Sequence, residues 1–225
     1  MPTATKSARP RRGGRTSAAR KATHVSNGDT GAAELQIKSV ERVRDLGEVF
    51  TPAATVQAML DLLPEAMWRP HPSPTFLEPA CGDGNFLVAI LDRKLASITE
   101  AARRNNLAAA GDRDAMQFHA LEALASIYGI DISHDNVVGG TPGHEVGAQE
   151  RLLVHLRRWY THSTGGRLTD RSPLLLAGRW IVEHNIQVAN MLAFNADGTP
   201  SDRDEIPLVE YVWDPEARTV QLLTT

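Results

Sequence analysis

The sequence predicts an α/β protein in which a mostly parallel sheet carries helices on both faces and a β-hairpin follows at the C-terminal end. Three observations support this prediction. Short apolar runs typical of strands, at 76–77, 127–132 and 185–192, alternate with longer segments of helical apolar period. The first run enters a glycine-containing turn and then a helix. Two further short runs, 208–213 and 219–223, flank a turn of polar residues and one proline.

Composition narrows the class of protein. The chain has 225 residues, 42% of them hydrophobic and 23% charged, which is ordinary for a globular protein with a sizeable core. A single cysteine, Cys81, rules out a disulfide framework or a cysteine zinc site within the chain. No apolar run approaches the roughly 20 residues of a membrane helix, and the start lacks the apolar core of a secretory signal. We therefore expect a cytoplasmic protein without a membrane partner.

Charge is distributed unevenly along the chain. Residues 1–33 hold seven Lys and Arg residues against one Asp, a net charge of +6, which leaves −9 for the remainder of a chain whose total is −3. We predict a disordered basic tail over 1–33 and one domain over 34–225. The tail is rich in Ala, Arg, Gly, Ser and Thr and cannot form a core. It is either a solvated leader or an arm that contacts DNA.

The segment before the first strand predicts two helices. Residues 32–44 are loosely amphipathic and predict a short helix. Thr51 is a good N-cap residue and Pro52 suits the first helical position, so a second helix is expected from Pro52 to about Leu63. Residues 64–75 contain Trp68 and four prolines and predict an ordered loop.

The stretch 76–87 organises the rest of the chain. It predicts the end of a buried strand, a loop with glycines at 82 and 84, and a helix that begins near Asn85. A nicotinamide-binding turn would have a third glycine where Leu87 stands, so that class of ligand is disfavoured. The carboxylate of Glu78 would repel a diphosphate but pair with an ammonium group. The stretch therefore predicts a binding loop for a ligand with an amino-acid end.

The remaining elements follow from periodicity. Helical spacing covers 86–95 and 115–125, where His119 is expected on a helix face rather than as a ligand, and no metal site is predicted from the eight histidines. Strand 127–132 places Asp131 at its C-terminal end. Helices are expected over 146–160 and 174–182, with outward arginines on the first of them. The arginines predicted to face solvent are Arg151, Arg157 and Arg158.

Two motifs together resemble one enzyme family. Residues 78–86 read E-P-A-C-G-D-G-N-F, and residues 47–52 read G-E-V-F-T-P. The pair resembles the S-adenosylmethionine-dependent DNA methyltransferases that modify exocyclic amines, of the adenine N6, restriction-modification type. The resemblance covers about 46–192 and implies a Rossmann-like methyltransferase sheet that is incomplete here. It also implies that the Thr-Pro segment closes over the methionine end of the cofactor.

The resemblance implies a set of cofactor-binding residues. Asp131, in Gly129-Ile130-Asp131, matches the acid that binds the two ribose hydroxyls in the family, although an Asp at this point also suits a helix cap. Asn190 occupies the place near the adenine where the family usually has Asp, and an amide can still bind there. The expected cofactor-binding residues are Phe50, Thr51, Pro52, Glu78, Pro79, Ala80, Gly82, Gly84, Asn85, Phe86, Asp131, Ile132 and Asn190.

The catalytic motif of the family is missing from the sequence. The family holds the target amine with [DNS]-P-P-[FYW], whereas residues 213–216, Trp-Asp-Pro-Glu, share only Asp-Pro and fit a hairpin turn. The sequence also ends where this motif is expected. No catalytic residue is assigned. DNA is the expected partner, through a second protein subunit or a region outside the chain.

Three functions remain open on these grounds. The first is a DNA adenine methyltransferase whose Pro-Pro loop is supplied elsewhere. The second is a non-catalytic S-adenosylmethionine-binding or decoy subunit of a restriction-modification or phage-defence system. The third, a small-molecule methyltransferase, is disfavoured because both motifs point to the DNA enzymes.

Overall fold

The computed structural model describes residues 51–104, 113–141, 145–191, 199 and 206–224, all within one compact unit. The predicted basic tail, the predicted helix over 32–44 and Phe50 lie outside the described residues. None of the helices in the described ranges is long and apolar enough to cross a membrane.

A three-stranded parallel sheet with helices on both sides forms the centre of the protein. Its order is β1-β2-β3, with β1 at Phe76–Glu78, β2 at Ile127–Asp131 and β3 at Ile186–Val188. All three strands therefore end at the same edge of the sheet. An antiparallel hairpin follows, with β4 at Val209–Asp214 and β5 at Thr219–Thr224. The predicted α/β class, with its parallel sheet and C-terminal hairpin, is confirmed.

The strands depart from the sequence prediction in two respects. The side of β1 that carries Leu77 is open, since this residue is 52% exposed, so the strand is not buried on both faces as expected. β3 is shorter than the predicted 185–192: it starts later because Asn185 is the last residue of the preceding helix, and it ends at Val188. The amide of Asn185 donates to the carbonyl oxygens of Ala125 and Ile127, which fixes it between the helix and β2.

Six α-helices lie among the described residues. The helices predicted within the described ranges are found, although several bounds differ: the fifth runs to Thr164, and the sixth begins at Pro173 and ends at Asn185 instead of covering the predicted 174–182. A 3₁₀ turn, Glu65–Trp68, interrupts the predicted loop. The helices are α1 (Ala53–Leu60), α2 (Asn85–Arg103), α3 (Arg113–Ala125), α4 (His134–Val137), α5 (Ala148–Thr164) and α6 (Pro173–Asn185).

The hydrophobic core lies between α2 and its neighbours. This helix packs against α3 and α5, and α6 packs against α3 and α5 in turn. Leu87, Leu91 and Ile98 of α2 and Leu156 of α5 are fully buried. Burial of one such side chain contributes about 1.5–3 kcal/mol. The core therefore holds α2 firmly, and with it the glycine loop from which α2 begins.

The start of α1 corrects the predicted capping residue. The helix begins at Ala53, Pro52 stands before it in an extended conformation, and no side chain caps it. Thr51 is therefore one residue too far from the helix to be the N-cap. The carbonyl oxygen of Pro52 accepts the first helical bond, from Val56 N at 3.0 Å. The helix also ends at Leu60, three residues before the predicted Leu63.

Two tyrosines attach the hairpin to the rest of the unit. Tyr128 Oη of β2 donates to the carbonyl oxygen of Val209 at 2.6 Å. Tyr211 Oη donates to Asn185 Oδ1 at 2.8 Å. Asp214 Oδ1 accepts from the amides of Glu216 and Ala217 and so forms the hairpin turn that the sequence predicts.

Candidate functional site

The loop between β1 and α2 forms a tight turn at the carboxyl edge of the sheet. Gly82 and Gly84 have φ angles of 54° and 92°, in the left-handed region that favours glycine. Cys81 N donates to the carbonyl oxygen of Ile130 at 2.9 Å, which ties the loop to β2. The first bond of α2 joins Val88 N to the Gly84 carbonyl oxygen, so the amides before it have no partner within the helix. The loop thus presents a helix N-terminus at this edge.

Asp131 connects the glycine loop to the turn after β2. Its Oδ2 accepts from Gly82 N at 2.9 Å. Its Oδ1 accepts from Ser133 N at 2.9 Å and from Asn136 Nδ2 at 3.1 Å. A carboxylate has about four acceptor positions, so one position, on Oδ2, is left without a partner in the part of the chain that the structure describes. Asp131 is not the helix cap that the alternative interpretation of this residue expects, because the N-cap of α4 is Ser133 and no side chain caps that helix. Its bond to Ser133 N holds the turn before α4.

Two close contacts explain why small residues are required around the loop. A Cβ on Gly84 would lie 3.0 Å from the Cβ of Ala148, the first residue of α5. A Cβ on Gly129 of β2 would lie 2.6 Å from Cδ1 of Leu87. Leu87 occupies the position where a nicotinamide-binding turn has its third glycine. The close approach of helix and strand is therefore made possible by a glycine on the strand instead.

Arg151 of α5 is part of the site, which corrects the prediction that it faces solvent. Its Nη1 donates to the carbonyl oxygen of Asp83 at 2.7 Å and pairs with Asp83 Oδ2 at 2.8 Å. Its Nη2 donates to Asn85 Oδ1 at 2.8 Å. Asn85 Nδ2 in turn donates to the carbonyl oxygen of Thr51 at 3.2 Å. The Thr-Pro segment, the start of α2 and α5 are thereby joined around the loop.

The electrostatic environment of the loop is anionic. The thiol of Cys81 has a raised pKa, because it is buried and because the carboxylates of Asp131, Glu78 and Asp83 surround it. Glu78 Oε1 accepts weakly from Ala80 N at 3.3 Å. Asp83 Oδ1 is buried and has no hydrogen-bond partner among the described residues. Among the described residues at this loop, three carboxylates and one cation, that of Arg151, favour a positively charged ligand over a phosphate.

Apolar groups stand beside Asp131 at the same edge. Ile132, which follows it directly, is 56% exposed. Val188 at the end of β3 is also exposed, and it pairs in register with Asp131. Ala189 N donates to the Asp131 carbonyl oxygen at 3.0 Å, which places Asn190 just beyond the paired strands. The edge therefore combines a carboxylate with flat apolar surface.

Most of the residues predicted to bind a cofactor lie around this edge. Thr51 and Asn85 are in contact, and Gly82 and Asp131 are in contact. Pro79 and Ala80 are exposed in the loop, and Phe86 is partly buried at the start of α2. Phe50 lies outside the described residues. The sequence prediction missed the packing role of Gly129 and the role of Arg151, because each acts through a partner that is remote in sequence. It also missed Asn136, which bonds to Asp131 five residues earlier.

Comparison with known proteins adds nothing to these observations. Protein-family models, curated proteins and solved structures were all compared with this chain, and none of them matches it.

Proposed function

We propose that the glycine loop and the carboxyl edge of the sheet bind S-adenosylmethionine, and that the chain is the cofactor-binding part of a DNA adenine N6 methyltransferase of the restriction-modification type. The Rossmann-like methyltransferase fold belongs to the same proposal. The catalytic Pro-Pro loop and most of the DNA contacts come from outside these 225 residues. When bound, S-adenosylmethionine supplies a methyl group on a positively charged sulfur.

One observation carries the proposal: a glycine loop lined by three carboxylates, with Gly82 bonded to Asp131 at the carboxyl edge of a parallel sheet. Parallel α/β sheets bind ligands at this edge. A carboxylate-lined loop disfavours nucleotide phosphates, whereas a sulfonium and an ammonium group are both cations. The chemistry of the loop therefore fits S-adenosylmethionine better than a dinucleotide.

Each group of the cofactor has a suitable residue at this edge. The remaining acceptor position on Asp131 Oδ2 suits one ribose hydroxyl. Ile132 and Val188 offer apolar surface for the adenine ring. Asp83 Oδ1, to which none of the described residues donates, suits an ammonium donor, and the N-terminus of α2 suits the cofactor carboxylate. Gly82 and Gly84 leave the backbone accessible because they carry no side chain.

The catalytic half of the reaction needs other residues. Methyl transfer to an exocyclic amine requires acceptors that hold the amine hydrogens while its lone pair faces the methyl group. Asp214 is the acid of the chain's only Asp-Pro pair, and its Oδ1 already accepts two backbone amides in the hairpin turn. This residue is therefore used structurally. The same observation favours a second candidate function, a non-catalytic S-adenosylmethionine-binding or decoy subunit of a restriction-modification or phage-defence system.

Calorimetry with S-adenosylmethionine tests the cofactor site. We expect the wild-type chain to bind the cofactor and Asp131→Ala to bind it at least about tenfold more weakly, since a charged hydrogen-bond acceptor contributes about 1.5–3 kcal/mol. Glu183→Gln, on an exposed residue of α6, is the matched charge control. Absence of binding by the wild type, or unchanged binding by Asp131→Ala, would contradict the proposed site.

A second experiment separates the two candidate functions. If a neighbouring reading frame encodes an N-P-P-[FY] motif, the two purified chains together are expected to transfer labelled methyl groups to DNA, while neither does so alone. Methyl transfer by the present chain alone would contradict the absence of a catalytic loop. Cofactor binding without transfer in the presence of that partner would favour the non-catalytic subunit.

A further inference from the structure

A second polar cluster lies at the opposite edge of the sheet. It joins the loop before β1 to α3, near the point where Phe76 N donates to the carbonyl oxygen of Ser126 at 2.8 Å. The cluster consists of His71 from the loop and of His119 and Glu122, one turn apart on α3. Because the glycine loop is at the carboxyl edge, this cluster is independent of the proposed cofactor site.

The three side chains converge on one another. His71 Nδ1 lies 2.8 Å from Glu122 Oε1, and His119 Nδ1 lies 3.4 Å from Glu122 Oε2. One donor atom from each residue lies within 4.8 Å of the other two. In a tetrahedral site with bonds of about 2.1 Å, the donor atoms are about 3.4 Å apart. A small movement of His71, which is on an exposed loop, would bring the three donors to this spacing.

The buried carboxylate of Glu122 suits a cationic partner. Its side chain is only 3% exposed. Ser73 N donates to Glu122 Oε1 at 2.9 Å, and the rings of His71 and His119 lie against the same carboxylate. A buried carboxylate flanked by two imidazoles is a donor set typical of zinc and of related divalent ions.

We infer that His71, His119 and Glu122 form a binding site for a divalent metal ion of the zinc type, which fastens the loop before β1 to α3. Three protein ligands leave one coordination position open. His71 and Glu122 line a cavity of about 320 Å³, which is large enough to supply water at that position. The nearby ammonium group of Lys94 is directed elsewhere, to Ser73 Oγ at 2.8 Å and to the carbonyl oxygen of Pro74 at 2.7 Å.

Sequence spacing could not reveal this site. His119 and Glu122 are three residues apart on one helix, but the third ligand comes from a distant loop. A histidine and an acid at this spacing are common on helices, and the eight histidines of the chain otherwise show no ligand pattern. The third ligand is recognised only when α3 packs beside the loop before β1.

Titration of the full chain with metal ions tests the inference. After treatment with a chelator and its removal, the chain is titrated with ZnCl₂ by calorimetry and with CoCl₂ by visible absorption. We expect one equivalent of each ion to bind, and the Co²⁺ complex to show the intense bands of a tetrahedral site. Zn²⁺ should also raise the midpoint of thermal unfolding.

Matched variants locate the site. His71→Gln and Glu122→Gln should weaken binding of Zn²⁺ by roughly tenfold or more. Replacing even a residue that only hydrogen-bonds to a metal ligand weakens metal binding by about that factor. His155→Gln, which removes a partly buried histidine paired with Asp92 and distant from the cluster in sequence, should bind as the wild type does. Circular dichroism confirms that each variant is folded.

Two results would overturn the inference. One is the absence of stoichiometric Zn²⁺ binding together with a Co²⁺ spectrum of the hydrated ion, a readout that needs no variant. The other is Zn²⁺ binding that His71→Gln leaves unchanged. In either case the cluster is a hydrogen-bonded anchor for the loop and nothing more.

Discussion

Gly82 N and Asp131 Oδ2 are 2.9 Å apart, so one hydrogen bond joins the loop after β1 to the end of β2. The same carboxylate accepts from Ser133 N and from Asn136 Nδ2 through its other oxygen. Asp131 is therefore a structural centre of the carboxyl edge before any ligand is considered. This arrangement allows its structural role to be measured apart from its proposed binding role.

Asp131→Asn should destabilise the chain without any ligand. The amide that replaces the carboxylate directs N–H donors at one of the two sides where Asp131 now accepts, so at least one backbone or side-chain donor loses its partner. We expect the free energy of unfolding in urea to fall by about 2 kcal/mol. Glu183→Gln removes a charge from an exposed position and should change stability by less than about 0.5 kcal/mol. Equal stability of the two variants would mean that the Asp131 bonds contribute little.

Gly84→Ala should be more costly than Gly165→Ala. Both glycines have positive φ, 92° and 67°, but only at Gly84 would the new Cβ meet a neighbour, Ala148 Cβ at 3.0 Å. Backbone strain costs about 1–3 kcal/mol at either position, and the steric conflict adds about 1–3 kcal/mol at Gly84. Urea denaturation measures the difference between them. A difference near zero would show that α5 can move away from the loop.

Arg151→Gln should loosen the glycine loop. The guanidinium group contacts Asp83 and Asn85 and is 27% exposed, so we expect a loss of about 1 kcal/mol in unfolding free energy. If the loop binds S-adenosylmethionine, its affinity should fall about fivefold. Arg158→Gln, on an exposed position of the same helix, is the control for calorimetry and denaturation. An equally small effect in both variants would indicate that Arg151 is solvated, as the sequence predicts.

The stability of the chain should rise with pH because of Lys94. This residue is 1% exposed, and burial is the main cause that lowers its pKa to about 7 from 10.5, with Glu122 opposing the shift. Between these two values the unfolded chain binds a proton that the folded chain does not, so raising the pH favours folding by up to about 1.4 kcal/mol per pH unit. Below the pKa of Lys94 in the folded chain, the cost of burying its positive charge is fully present.

Lys94→Met removes this titration and is the variant to compare. Urea denaturation of both proteins, from about pH 7 to pH 10 with a chelator present, should show the wild type gaining stability relative to the variant. A neutral amine keeps two N–H donors, which match the acceptors on Ser73 and Pro74. Parallel pH profiles would show that Lys94 stays charged in the folded chain.

Much of the fold could be predicted from the sequence, because local patterns determine it. An apolar run with β-branched residues predicts β2, and the two glycines at 82 and 84 predict the turn before α2. The position of Asp131 followed from the end of its strand. The start of α1 could not be fixed in this way, because both Thr51 and Pro52 are good residues at a helix start and only the backbone conformation of Pro52 decides between them.

The parts of the site that depend on tertiary packing could not be predicted. Arg151 lies on the polar face of an amphipathic helix, and periodicity cannot distinguish a solvated face from one that borders a loop. In the sequence Gly129 is only one residue of a predicted strand, and its packing role is evident only from its contact with Leu87. Glu122 is a charged residue on a helix, and its burial follows only from the contact with the loop before β1.

The lengths of the strands have a consequence for solubility. In the described part of the sheet, β1 and β3 are the edges, and each has only three residues. Edges this short give a second molecule little backbone with which to pair. The hairpin has strands of six residues and exposes Val212, Val220 and Leu222. Within these ranges, self-association at high concentration should therefore begin at the hairpin and not at the sheet.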